Sequence, residues 1–136
     1  MRTGLVQVYT GDGKGKTTSA IGQGIRAVGR GLKVVMIQFL KGTDSGELHT
    51  VKRLEPDFVI MRFGCTNKFF WSLNEDEKST LKKECIGAMQ YVIELASNGT
   101  CDVLILDEIM GAISNGLIEE QAVINIIKNK SERVEL

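Results

Sequence analysis

Several residue types that mark whole classes of protein are scarce in this chain of 136 residues. It has one histidine, one proline and one tryptophan, and its 17 basic and 17 acidic residues give a formal net charge of zero. A balanced charge argues against a protein that holds nucleic acid by general electrostatic attraction. The apolar runs are far shorter than the roughly 20 residues that a membrane-spanning helix needs. We therefore expect neither nucleic acid nor a membrane as a partner.

The cysteines and the histidine are also too few and too scattered to build a metal centre. Cys65, Cys85 and Cys101 are far apart and form no Cys-x-x-Cys pair, which makes a zinc site improbable. Their odd number and the lack of a recognisable signal peptide predict a reducing cytoplasm, where they act as small apolar residues. His49 lies in a weakly helical segment and is predicted to be a surface residue.

Glycine, by contrast, is concentrated in one segment near the N-terminus. Residues 10–18 read Thr-Gly-Asp-Gly-Lys-Gly-Lys-Thr-Thr, between a predicted apolar strand at residues 5–9 and a predicted helix that begins near Thr17. The phosphate-binding Walker A pattern is a glycine, four free positions, then Gly-Lys-Ser/Thr. Gly15-Lys16-Thr17 completes its second half, whereas Thr10 occupies the place of the first glycine. This context predicts a nucleotide-binding loop.

The residue types of this loop suit polyphosphate binding. Glycines let backbone N–H groups approach anionic oxygens, and the start of the following helix adds unpaired N–H groups and partial positive charge. Lys16 supplies a point charge, and the Thr17 hydroxyl can ligate Mg²⁺. A glycine-rich turn with solvated lysines is the weaker alternative. The predicted nucleotide-binding residues of the loop are Thr10, Gly11, Asp12, Gly13, Lys14, Gly15, Lys16, Thr17 and Thr18.

The remaining pattern predicts an α/β fold. Apolar runs at 34–39, 58–63 and 103–106 hardly alternate, which is typical of strands in a parallel sheet that is covered on both faces. A helix capped by Asn74 and ended by Asn98-Gly99 has one apolar stripe. We predict a three-layer α/β/α P-loop NTPase-type domain, RecA-like, with a mostly parallel sheet.

The rest of the chain fits one such domain over residues 1–136. A glycine-containing connection is predicted at 109–117 and a helix at 119–128, and residues 133–136 begin another strand. Because a complete α/β domain rarely stops at the start of a strand, we expect that the domain continues into a C-terminal segment beyond this sequence.

Three groups of residues are predicted to meet the loop at the carboxyl edge of the sheet, where open parallel sheets bind ligands. Lys41 lies in the loop at 40–47 and is a nucleotide-binding candidate, with a merely solvated lysine as the alternative. Asp107 and Glu108 end an apolar strand, and carboxylates there can hold Mg²⁺ directly or through water. The loop at 64–72 contains the only tryptophan, and its aromatics either line an apolar ligand wall or fold back onto the core.

These motifs together resemble the corrinoid adenosyltransferases, which use ATP to adenosylate cobalt(I) corrinoids. The segment 9–18 is similar to the family's Thr-Gly-Asn-Gly-Lys-Gly-Lys-Thr-Thr, including the threonine that replaces the first glycine. Further matches are residues 38–42, Gly46-Glu47 and residues 106–109, and the aromatic loop aligns best through Phe70-Trp71. Members of the family normally continue into a Leu-Thr-Gly-Arg segment and a tail.

The resemblance implies a transferase of cobalamin biosynthesis or salvage that moves the 5′-deoxyadenosyl group of ATP to cobalt(I) and releases triphosphate. It implies Lys16, Thr17 and Glu108 as catalytic residues, with Thr17 and Glu108 as ligands of Mg²⁺ or Mn²⁺ and Asp107 in support. Phe70 and Trp71 would line the corrin. A flavoprotein reductant and a homodimer are the further implied partners.

Two other functions fit the loop less well. A small kinase or a RecA-like ATPase would transfer or hydrolyse the γ-phosphate, with Glu108 orienting the attacking hydroxyl or water. That alternative lacks an obvious arginine finger or an arginine-rich lid. A nucleotide-gated corrinoid-binding module without catalysis is the third possibility.

Overall fold

The computed structural model describes residues 2–136, which contain a sheet of three parallel strands. These are β1 (Val34–Phe39), β2 (Phe58–Phe63) and β3 (Val103–Asp107), in the spatial order β2-β1-β3. The prediction of an α/β fold with a parallel sheet is confirmed, and the bounds of β1 and β2 agree with the apolar runs. Since all three strands point the same way, their carboxyl ends share one edge of the sheet.

The helices connect and cover the strands. They are α1 (Lys16–Val28), α2 (Gly46–Lys52), α3 (Glu75–Asn98), α4 (Ile109–Ser114) and α5 (Glu120–Asn129), with a 3-10 turn at Phe70–Ser72. The predicted cap of α3 is confirmed, because the Asn74 side chain accepts from the Glu77 backbone and Gly99 ends the helix at φ 67°. The prediction that 109–117 is a connection was wrong for the residues of α4. No helix in residues 2–136 is long and apolar enough to cross a lipid bilayer.

Both faces of the sheet are covered, which is why its strands are almost continuously apolar. On one face Val34 and Met36 pack in a cluster with Ile21 of α1 and Val51 of α2. On the other face β1 and β3 contribute to a larger cluster with α3 and α5, whose buried members include Ile37, Phe39, Leu81, Cys85, Val92, Cys101, Leu104 and Ile126. The sheet is therefore the middle layer of three.

Two of the cysteines behave as the composition predicted. Cys85 and Cys101 are buried, and burial raises the pKa of each thiol to about 11, so both stay protonated at neutral pH. Cys65 is exposed.

The strand predicted at residues 5–9 is not formed. The segment is extended but exposed, and its backbone bonds to the end of the chain instead of to β3: the Gln7 N–H donates to the Leu136 carbonyl and the Leu136 N–H donates to the Leu5 carbonyl. Beside β3, Glu135 forms a single parallel bridge with Val103. The edge of β3 that the apolar segment would pair with is thus partly taken by residues 134–136.

The packing of α1 on the sheet generates a stability prediction. A methyl group on Gly24 would lie 2.5 Å from the buried Phe58 ring, whereas one on Gly22 meets nothing within 4 Å. We expect Gly24→Ala to lower the free energy of unfolding by about 1–3 kcal/mol, because the core must shift. Urea denaturation provides the measurement.

Gly22→Ala is the matched control in the same helix. Since alanine is the better helix former and has room here, we expect it to raise stability by up to about 1 kcal/mol. Equal effects of the two substitutions would contradict the described packing of α1.

Candidate functional site

Polar side chains form a row across the carboxyl edge of the otherwise apolar sheet. In the strand register Gln38 of β1 is paired with Arg62 of β2 on one side and with Asp107 of β3 on the other. Gln38 has 0% and Asp107 only 8% of its surface exposed. Buried polar groups in a core need hydrogen-bond partners, and these three residues supply them to one another.

The row continues into the glycine-rich loop. Arg62 Nε donates to Gln38 Oε1 at 2.9 Å, and Gln38 Nε2 donates to Asp107 Oδ2 at 3.2 Å. The Thr17 hydroxyl, in the first turn of α1, donates to Asp107 Oδ1 at 2.9 Å. A hydrogen-bonded chain therefore links β2, β1 and β3 to the start of the helix that follows the loop. Arg62 also donates to the Thr43 carbonyl and the Ser45 hydroxyl, so the chain reaches the loop after β1.

Lys41 joins Thr17 and Asp107, two of the three residues that the sequence proposed for metal binding. Its Nζ donates to Asp107 Oδ2 at 2.7 Å and to Thr17 Oγ1 at 2.9 Å. The Lys41 side chain is 26% exposed, against 8% for that of Asp107. The structure thus brings Lys41, Thr17 and Asp107 into one cluster, at the sheet edge where they were expected.

The glycine-rich loop is exposed and is held by its own lysine. Lys16 Nζ donates to the carbonyls of Gly11 and Gly13 at 2.6 and 2.7 Å. Gly11 and Gly15 have φ values of 143° and 109°, which side-chain-bearing residues rarely adopt. This explains the glycine at these positions and leaves the backbone open to a ligand. The other loop residues predicted to bind nucleotide, which are Thr10, Asp12, Lys14 and Thr18, are exposed too.

A cavity of about 280 Å³ connects the loop with the end of β3. Thr10, Gly11, Lys16 and Thr17 line it from one side, and Asp107 and Glu108 from the other, together with apolar residues of β3 and of the segment 5–9. The loop and the strand-end carboxylates therefore face one shared space, as their sequence context predicted.

Backbone strain marks the same edge. In residues 2–136, the non-glycine residues with positive φ are Leu40 at 66° and Glu108 at 64°. Each follows a strand directly, and each is adjacent to a residue of the cluster, Lys41 or Asp107. Left-handed backbone at bulky residues costs energy and concentrates at functional sites. Residue propensities in the sequence did not predict the positive φ values at Leu40 and Glu108.

Glu108 points differently from Asp107. It is exposed, and its Oε2 lies 3.5 Å from where a methyl group on Gly111 would be, beside the Leu40 side chain. The Thr17 hydroxyl bonds to Asp107 instead. The direct metal-binding and catalytic role predicted for Glu108 stays a prediction, and the geometry makes Asp107 the carboxylate in contact with the loop helix.

The aromatic loop presents two rings to the surface. Phe69 and Trp71 are 71% and 78% exposed and stack in parallel, with 5.4 Å between ring centroids. Phe70, which was predicted together with Trp71, packs against the core and lies under the Lys78 ammonium. Sequence reasoning did not select Phe69, because three adjacent residues carry no periodic signal to separate inward from outward rings.

The aromatic loop is held next to the loop that carries Lys41. A methyl group on Gly42 would lie 2.7 Å from the Thr66 carbonyl, so glycine is required for this close approach. The two loops therefore belong to one edge of the domain.

The residues present fit a hard divalent cation. Thr17 and Asp107 offer a hydroxyl and a carboxylate oxygen to the same point, and in this structure a positive charge, the Lys41 ammonium, occupies it. Magnesium in nucleotide sites is bound by one or two such groups, with water and phosphate oxygens as the other ligands. No group of three or more histidine, cysteine, aspartate or glutamate residues converges anywhere in the described part of the chain.

Comparison with known proteins gives one consistent result. A family model described as ATP:corrinoid adenosyltransferase BtuR/CobO/CobP matches residues 2–136. The corrinoid adenosyltransferase of Escherichia coli K12 is 31% identical over 128 residues, which are 93% of this chain and 62% of the relative. Corrinoid adenosyltransferase CobA of Salmonella typhimurium is 32% identical over 91% of this chain and 61% of its own length. The relative from Pseudomonas aeruginosa is 33% identical over 85% of this chain and 56% of its own. The chain thus spans about six-tenths of the length of these curated relatives.

The buried position of Gln38 generates the prediction for this site. Gln38→Leu keeps a similar volume but removes one partner each from Arg62 and Asp107. We expect a loss of about 1–3 kcal/mol in the free energy of unfolding, because buried polar groups lose their hydrogen bonds. Gln90→Leu on the exposed face of α3 is the control and should change stability by less than about 0.5 kcal/mol. Equal losses in both variants, measured by urea denaturation, would refute the hydrogen-bonded row.

Proposed function

Because the chain belongs to the ATP:corrinoid adenosyltransferase family, we propose that it transfers the 5′-deoxyadenosyl group of ATP to the cobalt(I) of a corrinoid. In this reaction the cobalt(I) electron pair attacks the ribose 5′ carbon. The carbon–oxygen bond to the α-phosphate breaks, and triphosphate leaves with that bonding pair. The observation that carries the proposal is the cluster of Lys41, Thr17 and Asp107 beside the glycine-rich loop.

The residues of the site suit a reaction that needs no general base. The nucleophile carries no proton, so catalysis consists of positioning and of stabilising charge that builds up on the leaving group. Lys16, Lys14 and the backbone N–H groups of residues 11–17 would hold the triphosphate. The exposed loop and the 280 Å³ cavity support this role, since both leave the N–H groups accessible.

A divalent cation, Mg²⁺ or Mn²⁺, belongs to the proposal. Thr17 and Asp107 would hold it, with Glu108 near enough in sequence to contribute through a ligated water. The cation supplies charge neutralisation for the triphosphate. Gln38 keeps the Asp107 carboxylate oriented by donating to Oδ2, and Arg62 holds the Gln38 amide in place by donating to its Oε1.

The stacked pair of Phe69 and Trp71 is the proposed corrin-facing surface. Two exposed rings stacked in parallel offer a flat apolar face that a solvent-exposed loop does not otherwise retain. Phe70 supports the loop from the core side, and its predicted corrin contact is part of the proposal. Water exclusion by these rings would protect the reduced cobalt. A flavoprotein electron donor, a homodimeric assembly and a cytoplasmic location complete the proposal.

The experiment that tests the proposal follows cobalt and phosphate together. The protein is incubated with ATP, Mg²⁺ and chemically reduced cobalamin under anaerobic conditions. We expect the absorbance spectrum of an alkylcobalt species and one equivalent of triphosphate. Release of ADP and phosphate without a change at cobalt would instead support a kinase or ATPase and overturn the proposal.

Lys16→Ala tests the role of the loop. Its side chain is exposed and bonds only to loop carbonyls, so the fold should be unaffected. We expect adenosyl transfer to fall by about a hundredfold or more, since a charge that faces the leaving group is lost. A variant that keeps wild-type activity would show that the loop does not hold the triphosphate, and a passive corrinoid binder would keep its corrinoid affinity without ATP.

The aromatic surface generates its own prediction. Trp71 is the only tryptophan, so its fluorescence reports on this loop alone. We expect corrinoid binding to quench it in the wild-type protein. Phe69→Ala and Trp71→Ala should weaken corrinoid affinity by about tenfold, because stacking and apolar contact are lost. Equilibrium dialysis measures the affinity of each variant, since Trp71→Ala has no tryptophan left. ATP affinity should be unchanged in both variants.

The control for this loop is Phe63→Leu, a partly buried aromatic residue at the end of β2 that packs against the core. It should leave corrinoid affinity within about twofold of wild type, because the substitution is apolar and Phe63 packs against the core instead of belonging to the exposed pair. Unchanged corrinoid affinity in Phe69→Ala and Trp71→Ala would place the corrin elsewhere.

A further inference from the structure

The contacts of Lys41 give this residue a role that differs from ordinary phosphate binding. Its ammonium lies 2.7 Å from Asp107 Oδ2 and 2.9 Å from Thr17 Oγ1. These oxygens are the two that the fold offers to a divalent cation. A lysine ammonium and a metal ion cannot occupy the same point, so one excludes the other.

Two other cations near the site are engaged elsewhere. Arg62 bonds to Gln38, Thr43 and Ser45, and Lys16 bonds to the carbonyls of Gly11 and Gly13. In residues 2–136, Lys41 is the cation paired with the Asp107 carboxylate. A carboxylate that is only 8% exposed is costly without such a partner. Lys41 therefore neutralises Asp107 in this state.

The Lys41 ammonium is also free to move away from Asp107 and Thr17. Its side chain is 26% exposed, and an ammonium on a four-carbon stem can turn away without a change in the backbone. The adjacent strained Leu40 and the closely packed Gly42 fix the backbone position from which the stem extends. Thr17 and Asp107, the two residues that the ammonium contacts, both line the cavity at the glycine-rich loop.

We propose that Lys41 is a resident cation at the Thr17–Asp107 pair, which a divalent metal displaces on binding, and that the displaced ammonium then contacts the polyphosphate. The first half concerns the protein and the metal alone. The second half rests on the proposed function, because it needs a bound nucleotide. The exchange keeps the Asp107 carboxylate neutralised both without and with the metal. The Lys41 ammonium adds a second positive charge at the polyphosphate only when metal and nucleotide are both bound.

The proposal predicts opposite effects of one substitution on two ligands. Lys41→Met removes the competing charge, so Mn²⁺ alone should bind about tenfold more tightly. The same variant should bind ATP in the presence of Mg²⁺ about fivefold or more weakly, since a contact to the polyphosphate is lost. A purely structural lysine would not shift the two affinities in opposite directions.

The measurement titrates Mn²⁺ into the whole chain without nucleotide and counts free Mn²⁺ by electron paramagnetic resonance. Lys52→Met, at the exposed end of α2, is the matched control with the same charge change. It should stay within about twofold of wild type, because Lys52 is exposed to solvent, which screens its charge. Lys41→Gln should bind Mn²⁺ more tightly as well, and it serves as the second variant if Lys41→Met fails to fold.

Asp107→Asn placed on Lys41→Met decides whether the metal occupies the inferred position. The tighter Mn²⁺ binding should disappear in the double variant, because a carboxylate ligand is lost. An unchanged or weaker Mn²⁺ affinity of Lys41→Met, or a gain that survives Asp107→Asn, would overturn the inference. The titration contains neither ATP nor a corrinoid, so its result is independent of whether adenosyl transfer occurs.

Discussion

A carboxylate at the end of a buried strand is stable only when donors and cations replace the water that it has lost. Asp107 meets this constraint with Thr17, Gln38 and Lys41, each from a different segment. Because these bonds join the loop helix, β1 and the loop after β1 to β3, the position of the glycine-rich loop depends on them. The same bonds place a hydroxyl, a carboxylate and an ammonium at one point.

The fold creates this arrangement through strand direction. Three parallel strands with both faces covered end at one edge, so residues that follow or end them are brought together although they are distant in sequence. Gln38, Arg62 and Asp107 are neighbours by register alone. The loops that leave this edge carry Lys41 and the aromatic pair, and the tight contact at Gly42 keeps the two loops adjacent.

The sequence predicted the parts of the molecule whose signals are local. The apolar runs of β1 and β2, the cap at Asn74 and the glycine-rich loop follow from residue type and spacing within a few positions. The strand predicted at residues 5–9 failed because a strand needs a partner edge, and residues 134–136 take part of that edge. The helix α4 was missed because Gly111 lowered helix propensity and tertiary packing overrode it.

The site itself was predictable only in part, for a related reason. Lys41, Thr17 and Asp107 could be proposed from motifs, but their mutual contacts depend on register across the sheet. Gln38 and Arg62 were missed as site residues, although polar side chains near the end of buried strands are the signal that could have found them. Which of Asp107 and Glu108 faces the loop depends on the backbone at residue 108, where φ is 64°. Tertiary structure sets this φ value, and the spacing of residues in the sequence does not predict it.

The central claim is that Thr17 and Asp107 form the metal and polyphosphate end of a nucleotide site. A crystal structure of the protein with Mg²⁺ and a non-reactive ATP analogue tests it most directly. The account predicts the triphosphate in the glycine-rich loop, Mg²⁺ at about 2.1 Å from the Thr17 hydroxyl, and Asp107 in contact with the metal directly or through water. A nucleotide bound away from the loop, or a metal with no contact to either residue, would contradict it.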